Sequence, residues 1–194
     1  MGRGRTLAFA ALLAISFAVA AFGRAVAEVA MVPPSLQVEL LDRVSYFEHG
    51  YRRRAASRAT ILVVHRRGSA SSERVATQLV SALRDARSIG GVPAAPQLVA
   101  FASSAELRSL VDATGAAIVW FAPGLESDAP AIANGLTRSG ALTVASTPLG
   151  VREGAVLGFG LESSRPVIFI NERLANEQDI HFSFEVLRRA RLVR

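Results

Sequence analysis

Four short apolar runs rich in β-branched residues, each set off by helix punctuation, constrain the fold most. Residues 59–65 read ATILVVH, 97–102 QLVAFA, 116–122 AAIVWFA and 141–146 ALTVAS. The near-continuous apolar character of the first predicts a strand covered on both faces, as in parallel sheets, and the other three also read as strands. Between them lie segments with helical periodicity. Ser71-Ser72 is read as the cap of a helix that carries Val75, Leu79, Leu83, Ala86 and Ile89 on one side and ends at Gly90-Gly91. Ser103 with Glu106 forms a capping box, and Leu107, Leu110 and Val111 precede a stop at Gly115. A weaker helix is predicted over 128–138.

Both ends of this alternation change character. At the front, Ser35 after Pro33-Pro34 is the expected cap of a helix with Leu36, Leu40, Leu41, Val44 and Phe47, followed by an arginine-rich link over 51–58. At the back, residues 154–161 (GAVLGFGL) and 165–170 (RPVIFI) are separated only by Glu162-Ser163-Ser164, which predicts a hairpin. A terminal helical segment closes the chain, with Arg188, Arg189, Arg191 and Arg194 in its last turns. The expected fold is therefore α/β. It is a single three-layer domain with about six strands in a largely parallel sheet, flanked by helices, plus a C-terminal β-hairpin and helix.

The amino terminus reads as a targeting segment. Arg3 and Arg5 precede an uncharged run over 6–22, and Ala25-Val26-Ala27 supplies a small-residue cleavage site. This predicts a signal peptide over 1–27 and an exported domain over 28–194, with a retained anchor as the alternative. The expected compartment is the periplasm. Removing that segment takes the only span-like run out of a chain whose mean hydropathy is +0.32. It also removes three arginines and no acid, lowering the formal charge from +6 to +3. All 22 basic residues are arginine, yet they cluster only at 52–54, 66–67 and 188–189, with few aromatics between them. A nucleic-acid groove needs more, so no nucleic-acid partner is expected.

Catalytic patterns are missing from the sequence. His49, His65 and His181 have no metal-ligand spacing, and there is no cysteine. Gly158-Phe159-Gly160 falls in a strand, where close backbone packing explains it. No catalytic residue, metal or cofactor is expected. A binding site has better footing, because ligands of open α/β sheets sit beyond the carboxyl ends of the strands. That edge gathers the stretches 65–72, 102–104, 123–128 and 147–152. The first of them places Arg66, Arg67, Ser69, Ser71 and Ser72 at a helix start, a composition suited to a small anionic ligand.

Three stretches together resemble the YfiR-like periplasmic proteins. The C-terminal part 154–193, the central strand and loop at 116–136, and 65–79 follow that family's order of elements. The chain departs from it in having no cysteine and no glycine in the hairpin turn. The resemblance implies a non-catalytic regulatory protein. Its implied partner is an inner-membrane sensor, a diguanylate cyclase or kinase, held through its periplasmic domain and repressed to lower cyclic di-GMP output. The residues themselves also support an alternative: a periplasmic small-ligand-binding protein that serves an envelope transporter.

Overall fold

The computed structural model describes residues 31–193. The expected signal peptide and its cleavage point lie outside them. The described chain runs α1 (Pro34–Ser45), α2 (Tyr51–Ala55), β1 (Ala59–Arg66), α3 (Ala70–Ala86), β2 (Ser88–Ile89), β3 (Val92–Phe101), α4 (Ser104–Thr114) and β4 (Ile118–Phe121). It continues through α5 (Ala129–Leu136), β5 (Leu142–Ala145), α6 (Pro148–Glu153), β6 (Leu157–Glu162), β7 (Arg165–Asn171), α7 (Glu172–Glu177), α8 (Phe184–Arg189) and β8 (Arg191–Val193). The strands form one sheet in the order β2-β3-β1-β4-β5-β6-β7-β8. Strands β3, β1, β4, β5 and β6 are parallel, β7 pairs antiparallel with β6, and β8 runs parallel to β7. The α/β expectation holds, with eight strands among the described residues where about six were expected. The expected terminal helix is instead two short ones, α7 and α8, and Arg191–Val193 leave the helix to pair with β7 as β8.

Alternation along the central strands builds two cores. Ile61, Val63, Ile118, Trp120, Leu142 and Val144 face a cluster completed by α1, α3, α7 and α8. Leu62, Val64, Val119, Phe121 and Ala145 face the other, completed by α4, α5 and α6. Because both faces are covered, these strands read as unbroken apolar runs. Chain order and spatial order diverge at one place. The chain leaves β1 for β3 on one side, then returns to lay β4 on the other. The crevice above the carboxyl ends of β1 and β4 is therefore the switch point of a doubly wound sheet.

Several expected boundaries move, each for a local reason. Helix α1 starts on Pro34 at its first turn, where a missing N–H costs nothing, so Pro33 rather than Ser35 occupies the cap position. Gly68 takes φ +76° and brings the chain round two residues early, so Ser69 caps α3 in place of Ser71-Ser72. That helix stops at Ala86, and Gly90-Gly91, both at positive φ, form the turn between β2 and β3. Strand β3 starts five residues before the expected position, despite Pro93 and Pro96. The Ala94 N–H donates to the Arg87 carbonyl, away from β1. Two residues on, Pro96 therefore turns its nitrogen to the same open edge, where no ladder bond is lost and edge pairing is discouraged.

Half of the capping box on α4 forms: the Glu106 N–H donates to Ser103 Oγ at 3.2 Å, while the Glu106 carboxylate accepts the Ser103 hydroxyl at 3.4 Å in place of its N–H. Gly115 ends the helix in the left-handed region. The β6–β7 turn is Ser163-Ser164, both at positive φ (48° and 61°), which matches strand twist without glycine. Gly158 and Gly160 allow close packing: a Cβ on Gly158 would strike Val151, and one on Gly160 would lie 2.5 Å from Pro148. The arginine-rich link contains α2 and is not simply a solvated face. Tyr51 is fully buried and its hydroxyl donates to the Ile89 carbonyl at 3.0 Å. Arg54 pairs with a Glu48 carboxylate whose side chain is wholly enclosed.

Candidate ligand site at the switch point

The site grows from the turn that ends β1. The Arg66 N–H donates to Ser72 Oγ at 3.0 Å, which turns Ser72 inward at the first buried position of α3. Ser69 Oγ accepts the Ser72 N–H at 3.4 Å and lies 3.2 Å from Ser71 Oγ. The first turn of a 17-residue helix thus opens onto the crevice, with the positive end of its dipole directed there. Arg67 is exposed and has no ion pair among the described residues.

The Arg66 side chain does not wait in solvent. It crosses from the β1 loop to the β4 loop, where Nε donates to the Gly124 carbonyl and Nη2 donates to Ser127 Oγ at 2.8 Å and to the Asp128 carboxylate. Both members of this ion pair are partly open to water, at 41% and 33% side-chain exposure, so it contributes about 1 kcal/mol or less to stability. Beyond it, Glu126 accepts the Gly124 N–H at 2.8 Å and the Thr147 hydroxyl at 3.2 Å, and Thr147 caps α6. The loops after β1, β4 and β5 are thereby knitted together.

Of the five residues chosen from sequence, Ser69, Ser71, Ser72 and Arg66 come together in one network, while Arg67 stands beside it. Glu126 and Asp128, on the same edge, serve different partners and are not a carboxylate pair. The sequence did not single out Gly124, Ser127 or Thr147. Their roles depend on which loops meet, although strand-end geometry had flagged both segments. His65 is buried just below, with Nδ1 3.3 Å from the Arg66 carbonyl.

Enclosed space at this end is small. A recess of about 10 Å³ between Leu125, Glu126, Thr147 and Gly150 is near the lower limit for one water. Two wider grooves are open to solvent, and the second reaches Ala102 and Ser103 at the carboxyl end of β3. One of about 650 Å³ runs between α1 and α3 past Glu39, Asp42 and Asp85. The other, about 590 Å³, follows β3 and α4 past Val99, Phe101, Leu107 and Leu110. Among the described residues, no three histidine or carboxylate side chains gather as a metal site. No helix among them is long and apolar enough to cross a membrane.

No family model matches the chain, and no curated protein matches it. Solved structures do. An ABC domain from Streptococcus pneumoniae, solved in complex with L-Trp, is similar at TM-score 0.60 and 16% identity, over 84% of this chain and 62% of its own. A conserved domain protein from Vibrio cholerae gives TM-score 0.59 and 15% identity, over 84% and 60%. A substrate binding protein with adhesive properties from Clostridium difficile, in a ligand-free, open form, gives 0.51 and 16%, over 75% and 57%. The chain has the α/β fold of these proteins. It spans about three-fifths of the length of the first two.

Proposed function

We propose that this protein is a non-catalytic binding protein that takes a small anionic ligand at the β1–β4 switch point. The observation that carries the reading is the Arg66 guanidinium. It spans the crevice and holds a carboxylate, from Asp128, with a hydroxyl from Ser127 beside it. A ligand carboxylate or phosphate offers the same chemistry and competes for the same donors, with Arg67 and the first turn of α3 adding positive potential. The fold likeness to a domain solved with L-Trp and to a substrate binding protein supports ligand binding over signalling. The amino-terminal sequence pattern supports a periplasmic location, and service to an envelope transporter is the role this implies.

The test is thermal shift and calorimetry of the purified protein against amino acids, carboxylates and phosphate esters. A ligand that raises Tm in the wild type and fails with Arg66→Ala supports the reading. No stabilising ligand in the panel, or one indifferent to Arg66 and Arg67, removes it. The regulator reading rests on the resemblance of residues 65–79, 116–136 and 154–193 together to YfiR-like proteins. It predicts co-purification from membranes with a diguanylate cyclase or sensor kinase, and a change in cyclic di-GMP on deletion.

A further inference from the structure

At the amino-terminal ends of the parallel strands, opposite the candidate ligand site, three aromatic rings stand in solvent. Tyr46 is 53% exposed, Phe47 43% and Phe184 76%. Distant in sequence, they are brought together by backbone. Glu48 and Phe182 form an isolated antiparallel bridge, flanked by Ser183 N–H to the Phe47 carbonyl (2.8 Å) and His49 N–H to the His181 carbonyl (2.9 Å). The two strands of this bridge set residue 184 beside residues 46–47.

Arginines surround the rings. The Arg52 guanidinium lies 5.9 Å from the Tyr46 ring centroid. Arg53 follows it, and Arg188 sits one helical turn from Phe184, with Arg189 adjacent. None of the four has an ion pair among the described residues. The nearby acids offset them only in part: Glu48 is enclosed with Arg54, Asp42 accepts the Gly90 N–H at 2.8 Å, Asp179 is held by His181, and Glu185 is exposed.

We propose that this end of the molecule docks peripherally on an anionic lipid surface. Taking about 200 Å² per aromatic side chain, the exposed ring area comes to roughly 350 Å². A stable protein interface buries ~800 Å² per partner, of which about 450 Å² is apolar, and the rings fall short of that apolar share, so a second copy is disfavoured. Tyrosine and phenylalanine rings at headgroup depth, with arginines facing anionic headgroups, need no such area.

The chain has no cysteine, so Phe184→Cys carries a single environment-sensitive fluorophore, with the exposed Thr77→Cys on α3 as the reference. Phosphatidylglycerol vesicles should blue-shift the label at 184 and not at 77, phosphatidylcholine vesicles should shift neither, and added salt should weaken the effect. On the otherwise native full chain, Phe47→Ser/Phe184→Ser and Arg52→Glu/Arg53→Glu should each weaken phosphatidylglycerol binding about tenfold. Melting curves would verify that the variants fold. No shift at 184, equal shifts at both positions, or binding unchanged in both double variants overturns the proposal. Self-association without lipid that Phe184→Ser abolishes overturns it in favour of a second copy.

Discussion

Arginine plays opposite parts at the two ends of the sheet. Near the amino-terminal strand ends, Arg54 is 14% exposed and locked on a fully enclosed Glu48 carboxylate that also accepts the Gly50 N–H at 2.8 Å. Near the carboxyl ends, Arg66 binds Asp128 with both side chains open to water. A charge taken out of water depends on its partner, because removing one leaves the other desolvated. A charge that water still reaches can change partners at little cost. The comparison separates a structural arginine from an exchangeable one, and adjacent sequence positions do not reveal which is which.

The largest effect should come from breaking the enclosed pair. Glu48→Ala should cost about 3–5 kcal/mol, read as a lower denaturation midpoint, because Arg54 loses its counter-charge and the Gly50 N–H its acceptor. A loss below 1 kcal/mol would erase the contrast between the two ends. Gly158→Ala should cost about 1–3 kcal/mol by overpacking against Val151 and the Ala145 carbonyl, which would lie 2.8 Å from the new Cβ. Chemical denaturation measures it.

Tyr51→Phe should cost about 1 kcal/mol through the lost bond to Ile89. It should also alter the alkaline limb. Burial, with Asp42 nearby, pushes the Tyr51 hydroxyl well above its ordinary value near 10. The unfolded chain therefore ionises first, and wild-type stability falls as pH rises above about 10. The phenylalanine variant should lose that part of the decline, as pH-dependent denaturation would show. Arg66→Ala closes the series. It should change stability by about 1 kcal/mol or less, while binding of a stabilising ligand is lost. A large drop in Tm instead would make Arg66 a structural residue like Arg54.

The parts of the fold that were legible in the sequence are those where local chemistry and tertiary packing agree. The runs around Val63, Trp120 and Val144 are strands because both of their faces are buried, and the Ser103–Glu106 pair and Gly115 bound α4 with hydrogen bonds made within one turn. Strand β3 was only half legible, since Pro96 reads as the start of the strand until the open edge supplies a side where its missing N–H does no harm; Pro93 lies before the pairing with β1 begins at Ala94. Helix α6 escaped notice because Pro148 and Gly150 mark a loop in isolation. In the fold, Thr147 caps it and Gly150 fits against Ala145, where a Cβ would come within 2.7 Å.

The residues by themselves determined the α/β class, the terminal hairpin and the edge on which to look for a site, because periodicity and caps are properties of neighbours in sequence. Tertiary structure alone decided which loops meet. The β1–β4 adjacency puts Arg66 on Asp128, 62 positions away, and the Glu48–Phe182 bridge gathers aromatics from opposite ends of the domain. Pairings over such separations depend on strand order and burial, and neither is written in any local window of the chain.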